Sequence, residues 1–222
     1  MKTHLTAFSL ATAAALSAWP AGAAPATSPV KTKPTQAAAA QVAATATTAA
    51  TAASANQLLP AQSEVRFTAK QMGVSMPGMF SKLAGSVQWN AAKPEASRIR
   101  LEIPVASATV GAPEMDAELP KAEWFGASQF PTAVFESSSV HALGGNRYEV
   151  QGSLNIKGVR LPVKTEATVL PNPADKGATS TASGTLNIAR LAYKIGLGAW
   201  GDTSVVADAV QIQYNIRLKT QP

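Results

Sequence analysis

The residue types that carry most protein chemistry are scarce in this 222-residue chain. It has no cysteine, so a thiol nucleophile, a disulfide and a lipid attached through sulfur are all excluded. Its two histidines are His4, near the start, and His141, three residues before a Gly-Gly turn. A lone imidazole beside a hairpin turn reads as a solvated surface group. Zinc or copper would then rest on carboxylates alone, which those metals do not favour. Glu114, Asp116, Glu118 and Glu123 form the one acidic cluster. Such a cluster suits calcium or an acid/base pair, but it equally suits a solvent-facing helix start whose acids complement the helix dipole. No glycine-rich loop leads from a strand into a helix to cradle a phosphate. The reading is of a protein that is not an enzyme, holds no metal and needs no cofactor.

What stands out instead is soft and aromatic. Met72, Met76, Met79 and Phe80 cluster around the first hairpin, with Gly73, Pro77 and Gly78 between them. Methionine adapts to irregular apolar partners, which suits the rim of a lipid pocket. The same residues would also fill gaps in an ordinary core. Trp89, Trp124 and Trp200 add large apolar area to a domain of modest size.

The elements that must position these groups are strands. Ile99, Leu101, Ile103 and Val105 alternate with Arg98, Arg100, Glu102 and Pro104, giving one apolar and one wet face. The same period of two runs through 148–157 and 210–219, and more weakly through 65–70, 83–89, 133–140, 161–169 and 181–188. Turns fall at Gly144-Gly145-Asn146, at Lys157-Gly158 and between Pro171 and Gly177. Eight strands with short links fit an antiparallel barrel or a sandwich. The distinction matters, because a sandwich fills its core with its own side chains, whereas an eight-stranded barrel has room for one small ligand. Residues 111–125 break the rhythm. Pro113, the acids after it, and Met115 and Leu119 four apart predict one or two helical turns across a barrel end, stopped by Pro120. Trp124, Phe125 and Phe130 are expected to pack beneath them.

The ends of the chain read differently. Lys2, an apolar run from Leu5 to Trp19, and small residues at Ala21-Gly22-Ala23 have the layout of a secretory signal peptide cleaved after Ala23. That run is shorter than the roughly twenty residues that cross a bilayer as a helix. Residues 24–57 are almost all Ala, Thr, Pro, Ser and Gln, which bury too little apolar area to offset ordering entropy, so they read as a disordered linker. Residues 58–222 form one domain. Formal net charge is +6 for the whole chain, yet from Leu58 onward there are 16 basic against 13 acidic residues, scattered and without a basic stripe. Nucleic acid is not an expected partner.

Three stretches carry a family resemblance. They are 63–74 (SEVRFTAKQMGV), 130–137 (FPTAVFES) and 152–159 (GSLNIKGV). In this order and spacing the chain resembles the YceI-like family of periplasmic, polyisoprenoid-binding proteins, over about residues 63–218. The resemblance implies a lipocalin-like, extended eight-stranded barrel with a helical insert. Its lumen would hold a polyisoprenoid, an isoprenoid quinone or a fatty amphiphile without covalent chemistry, in the periplasm. The family pattern in the insert has Arg and His where this chain has Met115 and Glu118, while Asp116 and Leu119 keep it. Residues 200–208 resemble a branch associated with membrane cytochromes of the b561 type, which would make such a cytochrome a partner. Homodimerisation is left open.

Phe67, Met72, Met76, Met79 and Phe80 from the first hairpin region are the candidate ligand-binding residues on this reading, together with Trp89, Trp124, Phe125, Phe135 and Trp200. The alternative is a self-filled barrel that docks on a membrane redox protein.

Overall fold

The computed structural model describes residues 57–219. The expected leader, 1–23, and linker, 24–57, lie outside the described residues except for Gln57, which opens the first strand.

Among the described residues eleven strands follow one another with one short α-helix. They are β1 (Gln57–Leu58), β2 (Glu64–Gln71), β3 (Val74–Phe80), β4 (Ala84–Gln88), β5 (Arg98–Pro104), β6 (Ala108–Thr109), β7 (Thr132–Gly144), β8 (Arg147–Ile156), β9 (Val159–Pro171), β10 (Thr179–Ala189) and β11 (Ala209–Lys219), with α1 (Pro113–Glu118) between β6 and β7. All belong to one sheet in the order β4-β5-β7-β8-β9-β10-β11-β2-β3-β6, with β1 paired to β11. Every pairing is antiparallel.

Tight hairpins dictate the register. Three of them turn on two residues that both have positive φ: Met72 and Gly73 at 48° and 81°, Gly145 and Asn146 at 60° and 63°, Lys157 and Gly158 at 51° and 76°. This is the mirror-image turn whose twist matches that of the flanking strands. The sheet curls because its far ends are joined along the chain. Residues 81–83 carry the chain from β3 straight to β4, and 105–107 carry it from β5 to β6, so each link spans from one end of the strand order to the other. The result is a lipocalin-like barrel with one face of each strand turned inward.

All eight expected strands are present, several of them longer than their apolar alternation, and α1 begins at Pro113 as the sequence predicts. Besides the two-residue strands β1 and β6, the strand that sequence reasoning passed over is β3. Pro77 and Gly78 lie in its middle and discourage a strand assignment. Its second neighbour, β6, pairs only with Met79 and Phe80, so Pro77 sits where β3 is an edge and a missing N–H is tolerated.

Gly158 shows how tightly the hairpins are specified. It needs φ +76°, and a Cβ there would lie 2.8 Å from the Phe130 ring. Gly158→Ala is expected to lower stability by about 1–3 kcal/mol, measured as a shift in urea midpoint; an unchanged midpoint would contradict the turn.

Candidate functional site

Curling the sheet turns the apolar face of each strand into the wall of a lumen. Ile99, Leu101 and Ile103 of β5 line it, as do Val150, Leu154 and Ile156 of β8 and Ile212, Tyr214 and Ile216 of β11. Nearly every atom facing the space is carbon or sulfur. About 230 Å³ is open to the centre of a water-sized sphere. One water needs roughly 10–15 Å³ of such space, so the lumen holds the volume of on the order of fifteen waters. It is a cavity and not a packing defect.

Glycines facing inward help to keep it hollow. Gly78 lies between Met76 and Phe80, Gly152 between Val150 and Leu154, and Gly184 between Ala182 and Leu186, and all six of these neighbours line the wall. A Cβ added to Gly78 would overlap the Phe67 ring, one on Gly152 the Glu136 carbonyl oxygen and the Phe135 ring, and one on Gly184 the Tyr214 hydroxyl and the Glu166 carbonyl oxygen. The far end of each ring therefore takes the place that a side chain would fill on a neighbouring strand. Tyr214 meets its polar need inside the wall, 3.1 Å from the Thr165 hydroxyl. Burial pushes its phenol up from the ordinary tyrosine value.

One end of the lumen is roofed by α1 and the segments after it, with Met115, Leu119, Trp124 and Phe125 in the wall. Asp116 fastens α1 to β6: its carboxylate accepts from the Thr109 hydroxyl at 2.6 Å and from the Val110 N–H at 2.7 Å. Those bonds, the Thr109 one foremost, hold the carboxyl below the usual aspartate value. Lys157, in the β8–β9 turn, donates to the carbonyls of Ala122 at 2.5 Å and Lys194 at 2.7 Å, tying two roof segments together. Burial lowers its pKa, against the attraction of Glu123.

Arg190 organises the second roof segment. It is 2% exposed and spends all five N–H groups on carbonyls: Nε on Ala207, Nη1 on Ile195 and Gly196, Nη2 on Trp200 and Val206. Burial lowers its pKa and Asp208 opposes that shift.

Of the ten candidate residues, the structure brings seven to the lumen: Phe67, Met76, Phe80, Trp89, Trp124, Phe125 and Phe135. Phe80 links Phe67 and Phe125 at ring distances of 5.4 and 5.9 Å. Met72, Met79 and Trp200 lie off the wall. Met72 occupies a hairpin tip and is 77% exposed, while Met79, an odd number of residues from Met76, falls on the outer face of β3. Trp200 packs on Trp124, ring centres 5.4 Å apart, without lining the space. Sequence reasoning passed over Met115, Tyr214 and Arg190. The alternation in β11 already marks Tyr214 as inward, whereas nothing local distinguishes Arg190 from a surface arginine.

The acidic cluster disperses. Asp116 serves the roof, Glu118 pairs with Lys121 at 2.5 Å, and Glu114 is exposed. Among the described residues no three His, Cys, Asp or Glu side chains converge on a point. His141 is exposed on the outside of β7.

A single antiparallel sheet curled about an apolar lumen, with a helical roof at one end, defines a lipocalin-like barrel. The pattern of the YceI-like domain matches residues 57–218, and the chain belongs to the YceI-like family. It is 32% identical over 112 residues to a UPF0312 protein of Azotobacter vinelandii, covering 50% of this chain and 58% of that protein. A UPF0312 protein of Pseudomonas putida is 33% identical over 130 residues, with 57% of this chain and 67% of the relative covered. The matches thus span between about three fifths and two thirds of these curated relatives. Among solved structures, Burkholderia cenocepacia BcnA is 38% identical with a TM-score of 0.69, covering 72% of this chain and 99% of that one. A polyisoprenoid binding domain from Saccharophagus degradans, implicated in plant cell wall breakdown, shares the fold at 16% identity and a TM-score of 0.62, covering 76% and 99%.

Two outcomes follow from this geometry. Gly78→Ala forces the Phe67 ring off its glycine and into the lumen, and is expected to cut uptake of the uncharged dye Nile red severalfold, roughly as overpacking by one methyl predicts. Wild-type uptake by the variant would show that the ring does not set the width. For Asp116, a folded pKa below the unfolded one means that its contribution is present above the unfolded value, about 3.9, and is lost as pH falls through the lower folded value. Melting temperature should therefore fall more steeply below about pH 4 in the wild type than in Asp116→Ala, which starts lower at neutral pH. Parallel curves would remove Asp116 from the roof.

Proposed function

We propose that this protein is a carrier: it shelters one long apolar molecule in its lumen, without covalent chemistry, in the bacterial periplasm. The molecule is a polyisoprenoid, an isoprenoid quinone or a fatty amphiphile. The observation that carries the reading is the lumen, a space of about 230 Å³ whose wall offers almost no polar atom. Water there would forfeit most of its hydrogen bonds, while an aliphatic chain loses nothing by entering.

The energy is sufficient. A methylene takes up about as much room as a water, so a chain of on the order of fifteen carbons fits. At roughly 0.8 kcal/mol per buried methylene such a chain contributes about 12 kcal/mol before association and ordering costs. The Saccharophagus degradans domain of the same fold is described as polyisoprenoid binding, which agrees with the chemistry of this wall. The periplasmic placement rests on the leader-like residues 1–23. A hollow lumen favours the carrier over a self-filled docking module.

Native mass spectrometry of protein isolated from the periplasm of a bacterial host is expected to show an adduct that organic solvent extracts, on a chain beginning at Ala24. Leu186→Trp, which places an indole in the lumen, should abolish the adduct while far-ultraviolet circular dichroism stays unchanged. Stripped protein that refolds yet takes up neither a prenyl chain nor a quinone would overturn the carrier.

A further inference from the structure

Trp124 Nε1 is the one buried side-chain nitrogen or oxygen among the described residues that finds no hydrogen-bond partner. The residue is 9% exposed and its ring is part of the lumen wall. An indole N–H can only donate. Burying it without an acceptor forfeits its bond to water and gains nothing in exchange.

Arg190 stands near the other, benzo edge of the same ring. A Cβ built on Gly196 would lie 3.3 Å from Trp124 Cζ3 and would overlap Arg190 Nη1, so both side chains flank the same glycine under the roof. Both also line the lumen. The guanidinium brings positive charge to this end, but its five N–H groups are already committed to carbonyls. The indole N–H is therefore the one donor of this pair that is left uncommitted.

The count of donors selects the ligand head. A phosphate must be stripped of its water and needs several donors in return, and the forked pairing that arginine usually supplies is spent here. A plain hydrocarbon leaves the indole N–H as it was. A single neutral carbonyl oxygen satisfies the one donor available and costs far less to desolvate than a charged phosphate.

We propose that the Trp124 end of the lumen is a headgroup subsite that takes one neutral carbonyl oxygen, of a quinone, ketone, ester or amide, by donation from Trp124 Nε1. The subsite rests on the carrier reading above and adds to it which head the chain bears and which end it enters first. The nitrogen is covered within the cluster that Trp124 joins, so a side-chain shift that uncovers it accompanies binding.

Three probes of equal length separate the alternatives: a fifteen-carbon methyl ketone, the fifteen-carbon alkane and the fifteen-carbon alkyl phosphate, each competing with Nile red for the full-length protein. The ketone is expected to bind roughly tenfold more tightly than either of the others, the usual worth of one buried hydrogen bond that rescues an unpaired donor. Replacing Trp124 by benzothienylalanine, which puts sulfur in place of the N–H at nearly unchanged shape, should bring ketone and alkane within about twofold and leave the alkane where it was. Trp124→Phe is the encoded counterpart. Equal binding of ketone and alkane by the wild type, a preference that survives loss of the N–H, or tighter binding of the phosphate would each overturn the subsite while the carrier stood. Failure of every probe, dye included, to bind would overturn the carrier itself.

Discussion

A strand has two faces, and a sheet that curls on itself denies water to one of them. Everything inside this protein follows from that constraint. Each inward position must be apolar or must find its hydrogen bonds within the wall. Thr165 and Tyr214 meet the condition by facing each other across the sheet. Arg190 meets it by gathering five backbone carbonyls from one segment, which in turn fixes that segment's path. The roof is thus built by the same rule as the wall. Its one exception, the Trp124 N–H, stands out because compliance is otherwise so complete.

Hollowness is a second condition, and it does not follow from the first. Apolar inward residues ordinarily fill the space they enclose. Here small ones recur at inward positions of the wall, Ala69, Ala133, Ala167 and Ala182 among them, and the ends of three rings sit over glycines. Under the roof Val105, Leu119, Trp124 and Ile195 pack into a buried cluster, and Leu119, Trp124 and Ile195 close that end of the lumen.

Alternation made much of this legible in advance. Ile99-x-Leu101-x-Ile103 and Val210-x-Ile212-x-Tyr214 announce both a strand and its inward face, and Pro113 with its trailing acids announces the helix. Strand β3 was hidden because its proline and glycine argue against a strand, while their tolerance depends on an edge that only the assembled sheet creates. Residue type misled where spacing would have helped. Met76 and Met79 look equivalent as soft residues, but an odd separation puts them on opposite faces. Arg190 was beyond reach, since its five acceptors lie 5 to 17 residues away along a loop whose course the arginine itself determines.

The rings set over Gly78, Gly152 and Gly184 carry an evolutionary implication. Bore is encoded at these sites by residues with no side chain to touch a ligand, and so would never be nominated in a search for contact positions. A glycine codon becomes an alanine codon through one nucleotide change. At Gly78, where a Cβ would first meet the Phe67 ring, cargo calibre can therefore drift by point substitution, whereas at Gly152 and Gly184 a Cβ would also meet the Glu136 or Glu166 carbonyl oxygen and strain the strand pairing.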